Sequence, residues 1–119
     1  MNNYHKGKLA ELLAAAYMFC HGYRIIGRRF ITGRGTRAGE VDLICVKNRT
    51  VIFMEIKQRS SLDNAAYAIS QEQRLRIIKG AQNFLKYHAK YRGFDIRFDA
   101  LLISFPFKIC HIKNAWQDA

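Results

Sequence analysis

Acidic side chains are scarce in this chain of 119 residues: 9 Asp and Glu stand against 20 Lys and Arg, for a formal net charge of +11. That balance argues against a partner of positive charge and favours a polyanion, either nucleic acid or an anionic membrane surface. Cysteine is scarce too. Cys20, Cys45 and Cys110 are widely spaced, odd in number and set among apolar neighbours, so they read as reduced core thiols, not as a disulfide framework or a zinc site. No apolar run approaches the roughly 20 residues of a membrane-spanning helix, and Met1-Asn2-Asn3-Tyr4-His5-Lys6 lacks a signal peptide's hydrophobic region. A cytoplasmic protein is expected. His5, His21, His88 and His111 have no paired ligand spacing, no serine or cysteine lies in a nucleophile motif, and there is no repeat or low-complexity tract. Covalent catalysis is therefore not expected.

What remains is one compact domain, residues 1–119, long enough to bury a core without staples. Asn2 or Asn3 can cap a helix through about residue 21, with Leu9, Leu12, Leu13, Ala16 and Cys20 on its apolar face and Gly22 as its stop. Residues 23–31 read as a strand, and 32–38 as a basic, glycine-rich loop. Residues 40–46 and 51–59 form two β-rich segments around Asn48-Arg49, the simplest hairpin in the chain. A long helix follows over about 70–90, ended by Gly93; 97–104 is a further strand, and 108–113 pairs with it after a turn at Phe105-Pro106. This order predicts an α/β domain with a mixed sheet flanked by helices.

The hairpin turns geometry into chemistry. With Asn48 and Arg49 as its loop, Lys47 faces Thr50, Asp42 falls opposite Glu55, and Glu40 opposite Lys57. All four then share one face, whereas a slip of one residue sends Asp42 to the other. Arg49 is a poor residue for the left-handed turn such a hairpin needs. Opposed carboxylates on paired strands, with β-carbons about 4.5 to 5.5 Å apart, repel and call for a positive partner. Mg²⁺ or Mn²⁺ answers that need through oxygen ligands. An ordinary ion pair from Lys57 to Glu40 or Asp42 is the simpler reading.

The tripeptide Glu55-Ile56-Lys57 says little alone; its strand context and the upstream Gly39-Glu40-Val41-Asp42-Leu43-Ile44 make it specific. At these residues the chain resembles the PD-(D/E)XK nuclease superfamily and, within it, the YraN-like bacterial family. The resemblance extends from Gly7-x-x-Ala10-Glu11-x-x-Ala14 and Gly22-Tyr23 through Met54-Glu55-Ile56-Lys57-x-Arg59 to Arg97-Phe98-Asp99. It implies a restriction-endonuclease-like αβββαβ core. Asp42 and Glu55 would be metal ligands, Lys57 would orient or polarise the attacking water, and Glu11 would approach from the first helix. Three departures touch substrate handling: Gln73 stands where family members usually carry a lysine, with Arg74 beside it, Arg29 replaces a common asparagine, and the loop 32–38 is longer than usual for the family.

Arg76, Lys79, Asn83, Lys86 and Lys90 recur at helical spacing beside the apolar stripe Ile77, Ile78, Ala81, Phe84 and Leu85. They read either as a solvated face or, with Arg34, Arg37, Arg59 and Arg74, as a track for phosphates. Tyr17, Tyr67, Tyr87 and Tyr91 are packing residues or base-stacking ones. Asp99 reads as structural support. The leading expectation is a Mg²⁺- or Mn²⁺-dependent DNA endonuclease that prefers shape to sequence, with a homodimer as a suitable form for two-strand cutting. A non-catalytic nucleic-acid-binding module and a basic domain docking on an acidic protein or membrane surface are the competitors.

Overall fold

The computed structural model describes residues 3–33, 39–60, 69–105 and 108–117. Its elements are α1 (Asn3–Cys20), β1 (Arg24–Thr32), β2 (Gly39–Lys47), β3 (Thr50–Gln58), α2 (Gln71–Tyr87), β4 (Asp95–Ser104) and β5 (Lys108–Trp116), with a 3₁₀ turn at Ala89–Tyr91. The strands lie in the order β1-β2-β3-β4-β5. Only β3 and β4 are parallel, joined by a crossover through α2. This is the mixed α/β sheet and αβββαβ order expected, with β5 added antiparallel to β4.

The helices cover opposite faces. Val51, Phe53, Phe98 and Ala100 pack with Ile77, Ala81 and Phe84 of α2. Leu43, Ile52, Met54 and Leu101 pack with Ala10, Ala14 and Met18 of α1. The stripe expected on α2 is thus the one it buries, whereas the face expected on α1 is not. Leu12, Ala16 and Cys20 are exposed, Leu9 and Leu13 are half-buried, and Ala10, Ala14 and Met18 take the inner side. Residues 12–20 are apolar all round, so periodicity cannot fix the helix's rotation; small alanines set it by letting the backbone lie close to the sheet. Cys20 is accordingly a surface thiol, while Cys45 is buried and Cys110 half-buried.

Gly22 (φ +87°) ends α1 as expected. Tyr23 N–H donates to Met18 O at 3.0 Å and Gly22 N–H to Phe19 O at 3.1 Å, the paired bonds of a Schellman cap. Asn3 already lies inside the helix, and Asn2 is outside the described residues.

Ser70 caps α2 through a capping box: its Oγ accepts from Gln73 N, and Gln73 Oε1 accepts from Ser70 N, both at 3.1 Å. The helix stops at Tyr87, short of the expected residue 90, because the chain turns at His88 (φ −129°, ψ 73°). Arg92 then donates to Leu85 O at 3.2 Å and Lys86 O at 2.7 Å, closing the helix end. Lys90 therefore belongs to the 3₁₀ turn and not to the α2 stripe.

β5 runs three residues beyond the expected 113, because a bulge accommodates Asn114 (φ +53°) and lets Trp116 stack on Phe98 at 5.8 Å. Pro106 of the expected turn lies outside the described residues.

Candidate active site

The β2–β3 register is the one the two-residue loop dictates, running from Lys47↔Thr50 to Leu43↔Met54. Asn48 (φ +51°) and Arg49 (φ +59°) are both left-handed, so Arg49 takes the turn conformation despite its propensity. Its carbonyl accepts from Asp95 N at 2.9 Å and its guanidinium sits 4.6 Å from the centre of the Phe94 ring. Tertiary contacts hold what local preference resists.

Beyond Leu43 the strands part. β2 stays paired with β1 as far as Gly39↔Thr32, and β3 with β4 as far as Gln58↔Ile103, but the ladder between β2 and β3 ends at Leu43↔Met54. The expected backbone pairs Asp42–Glu55 and Glu40–Lys57 consequently do not form. The cause is Asp42 itself: its Oδ2 accepts from Ile56 N at 2.9 Å, taking the place of a backbone acceptor. Side-chain alternation slips at the same point, since Val41, Ile44 and Val46 all face α2 while Leu43 and Cys45 face α1. Arg29, between the paired Arg28 and Phe30 on β1, has a φ of +50° there.

The opening between strands gathers the chemistry. Glu40, Glu55, Lys57, Gln73, Arg76 and Ile77 line a cavity of about 220 Å³. Lys57 Nζ lies 3.1 Å from Glu55 Oε1, with both side chains largely buried. Glu55 shares a side-chain hydrogen bond with Asp42, and burial followed by the Asp42 charge pushes its pKa up to about 7. Burial also raises that of Asp42, against the Ile56 N–H bond that favours its charged form. With one ammonium beside two buried carboxyl groups, loss of the proton they compete for leaves a negative charge uncompensated. Lys57 chooses Glu55 as its partner, not Glu40 or Asp42.

Glu11 comes from α1 and is paired with Arg29, whose Nε is 2.6 Å from Glu11 Oε2. Its charge contributes to raising the Asp42 pKa. Glu40 also acts on Asp42 and is held by Arg76, with Nη2 2.8 Å from Glu40 Oε2. Arg76 is thus the member of the basic helix face that reaches the cavity. Glu40, expected on this face as an ion-pair partner of Lys57 in the simpler reading, is paired with Arg76 instead and stands beside the site as a third carboxylate. Its spacing of two from Asp42 was the available signal.

The other cations are dispersed. Arg74 turns towards Trp116, 5.9 Å from the ring centre. Lys79 is half-buried, Lys86 is exposed beside Tyr87, and Lys90 beside Tyr91. Arg59 is exposed at the end of β3, donating to Gln58 O at 2.9 Å. Asn83 is tied to Thr32 Oγ1 at 2.7 Å. Arg34, Arg37 and Tyr67 lie outside the described residues.

Asp99 stands apart from the cavity, facing the α1 side. It is fully buried and accepts from Arg97 Nε at 2.9 Å, Arg97 Nη2 at 2.8 Å and Asn114 N at 2.9 Å, with His111 Nε2 at 2.8 Å. These bonds hold its pKa below the usual value despite burial. The β4–β5 bulge explains its position, since a carboxylate there satisfies the N–H that the bulge frees.

Fold and site together define a mixed α/β protein whose central strands diverge around an acid, acid and lysine cluster. The chain belongs to the uncharacterised protein family UPF0102, whose profile matches residues 10–103. It is 45% identical over 101 residues to a UPF0102 protein of Nitrobacter winogradskyi, covering 85% of this chain and 82% of that one. A UPF0102 protein of Bradyrhizobium diazoefficiens is 42% identical over 101 residues, 85% of this chain and 73% of the relative. A third, from Rhodopseudomonas palustris, is 41% identical over 114 residues, 96% and 85% of the two chains. Among the described residues no helix is long and apolar enough to cross a membrane.

Proposed function

We propose that this protein is a metal-dependent nucleic-acid phosphodiester hydrolase, with DNA as its favoured substrate, cut internally and selected by shape. The observation that carries the reading is the parting of β2 from β3 at Asp42, which sets Glu55, paired with Lys57 and hydrogen-bonded to Asp42, at an open cavity. The resemblance to PD-(D/E)XK nucleases supports it.

The donor set fits a hard divalent cation: two oxygen-bearing side chains with one ammonium beside them, Glu55 lining a cavity with room for water and Asp42 hydrogen-bonded to it. Asp42 and Glu55 would hold Mg²⁺ or Mn²⁺, which when bound supplies a water of lowered pKa and offsets phosphate charge. Lys57 donates to Glu55 and offers a positive contact to an incoming water or phosphate oxygen. Glu11 supports from α1 by its field on Asp42. Arg76 is the nearest phosphate contact, and Lys79, Lys86, Lys90, Arg59 and Arg74 supply wider sequence-tolerant electrostatic attraction, to which the charges of Arg34 and Arg37, outside the described residues, add.

The test is incubation with labelled single-stranded, duplex, flap and four-way DNA in Mg²⁺, Mn²⁺ or EDTA, alongside folded Glu55→Ala and Lys57→Ala proteins. Metal-dependent cleavage should fall by at least about 100-fold in either variant. Full cleavage by both folded variants refutes the assignment.

A non-catalytic nucleic-acid-binding module is the second reading. Gln73 favours it, since the position where relatives of this type carry a lysine is spent on capping α2. Tight binding by wild type without turnover in any metal would select it.

A further inference from the structure

We infer that Glu40 is a gate on Arg76: with no nucleic acid bound its carboxylate occupies the guanidinium, and a backbone phosphate takes its place when substrate enters the cavity. This deepens the phosphodiester reading and rests on it, because the displaced contact belongs to the same cavity as Glu55 and Lys57.

The geometry of the pair supports displacement. Arg76 Nη2 and Glu40 Oε2 are 2.8 Å apart, yet the side chains are 43% and 39% exposed. A pair so exposed contributes little to stability and is readily exchanged for another anion. Guanidinium binds a phosphate oxygen with the same donors it gives a carboxylate oxygen.

The backbone beneath is rigid. A β-carbon built on Gly39 would lie 2.7 Å from Gly80 N, and one built on Gly80 would lie 3.0 Å from Glu40 N. Strand β2 and helix α2 therefore touch main chain to main chain one residue from Glu40 and about one helical turn from Arg76. That close approach holds the two backbones beside one another, so exchange is assigned to side-chain rotation at Glu40. Glu40 also adds negative charge two residues from Asp42. Rotation away from Arg76 gives the guanidinium one anion in place of another.

A staple that only fastens α2 to β2 would have different consequences. Its loss would lower thermal stability and leave phosphate affinity unchanged or reduced. A gate is revealed by affinity that rises, through Arg76, when the carboxylate is removed.

The experiment measures binding of labelled duplex DNA by anisotropy, in EDTA so that cleavage plays no part, across a range of NaCl. It compares wild type, Glu40→Gln, Arg76→Ala and the double variant, with thermal melts in parallel. Glu40→Gln should bind about 3- to 10-fold more tightly at low salt, with a log-log salt slope close to that of wild type because Arg76 meets the same phosphate in both complexes. Arg76→Ala should bind more weakly, and the double variant should match it. An equal gain from Glu40→Gln in the absence of Arg76 would overturn the gate by showing general repulsion only. Unchanged or weaker binding by folded Glu40→Gln would overturn it as well. Should Glu40→Gln fail to fold, Glu40→Asp serves: its shorter carboxylate keeps the charge but reaches Arg76 less well, and affinity equal to wild type would count against the gate. An Arg76-dependent gain with no metal-dependent cleavage by any form would sustain the gate and remove the hydrolase reading. No DNA binding by any form would remove both.

Discussion

Glu55 is a buried carboxyl group whose ordinary ionisation is opposed first by desolvation and then by Asp42, and only partly restored by Lys57. Below the ordinary Glu pKa of 4.5 both folded and unfolded chains carry the proton, and the group contributes no pH dependence. As pH rises from there to about 7, the unfolded chain releases the proton while the folded one retains it. Stability of the metal-free protein should therefore fall across that window and level off above it. Glu55→Gln, which keeps the shape without the charge, should flatten this window. It should also raise metal-free stability at pH 8 by roughly 2 kcal/mol, since each tenfold change in proton affinity is worth about 1.4 kcal/mol and Asp42 shares the effect. Denaturant melts at pH 5 and pH 8 decide it; an identical pH slope in wild type and variant would show that Glu55 does not hold its proton as described. Asp99 has the opposite character, with Arg97, His111 and Asn114 supplying the hydrogen bonds that keep it charged. Burial of a carboxyl group is thus insufficient to mark a reactive one, and the partners decide.

The elements differ in how far their residues disclose them. The hairpin was legible because a two-residue loop fixes parity, and parity carried the register from Lys47↔Thr50 to Leu43↔Met54. What lay outside that rule was its interruption. No propensity says that Asp42 will take the Ile56 N–H with its own carboxylate, so the same reading that brought Asp42 near Glu55 placed them in a regular ladder. The rotation of α1 was illegible for a different reason: an all-round apolar sequence has no phase, leaving Leu12 47% and Phe19 72% exposed. The setting of α2 over the site depends on a contact that a sequence cannot display, the meeting of Gly39 and Gly80. A β-carbon on Gly80 would lie 2.8 Å from Val41 Cγ2, too close without a backbone or side-chain shift. Gly80→Ala is therefore expected to lose about 1 to 3 kcal/mol by overpacking, outweighing the better helix propensity of alanine of about 1 kcal/mol. Chemical denaturation measures this balance, and a stabilised variant would mean that α2 is not seated on β2 as described.

At the scale of the whole molecule, two electrostatic features oppose one another. A chain of net +11 attracts polyanions over distances set by the ionic strength. The cavity nevertheless collects Glu40, Glu55 and, beside them, Asp42, against Lys57 and Arg76. Long-range attraction should deliver nucleic acid to the surface, while three carboxyl groups against two cations resist a phosphate at the cavity once all three are ionised. If Asp42 and Glu55 hold a divalent cation, that resistance reverses when it binds, since an ion of charge two balances the ionised carboxyl pair and leaves Lys57 and Arg76 in excess of Glu40. Ca²⁺ offers the cleanest probe because it takes the same oxygen ligands with a looser geometry, separating binding from turnover. At constant ionic strength, Ca²⁺ should tighten duplex binding by about tenfold in wild type, equivalent to roughly 1.4 kcal/mol. The gain should be larger at pH 8 than at pH 5.5, because proton and metal compete for the carboxyl pair. Folded Asp42→Asn and Glu55→Gln proteins should retain the salt-dependent attraction from the surface and lose the Ca²⁺ gain. The salt titration isolates the distributed charge and the Ca²⁺ titration isolates the cavity, so an equal Ca²⁺ effect in wild type and both variants would locate the cation's action elsewhere and remove the central premise of the proposed site.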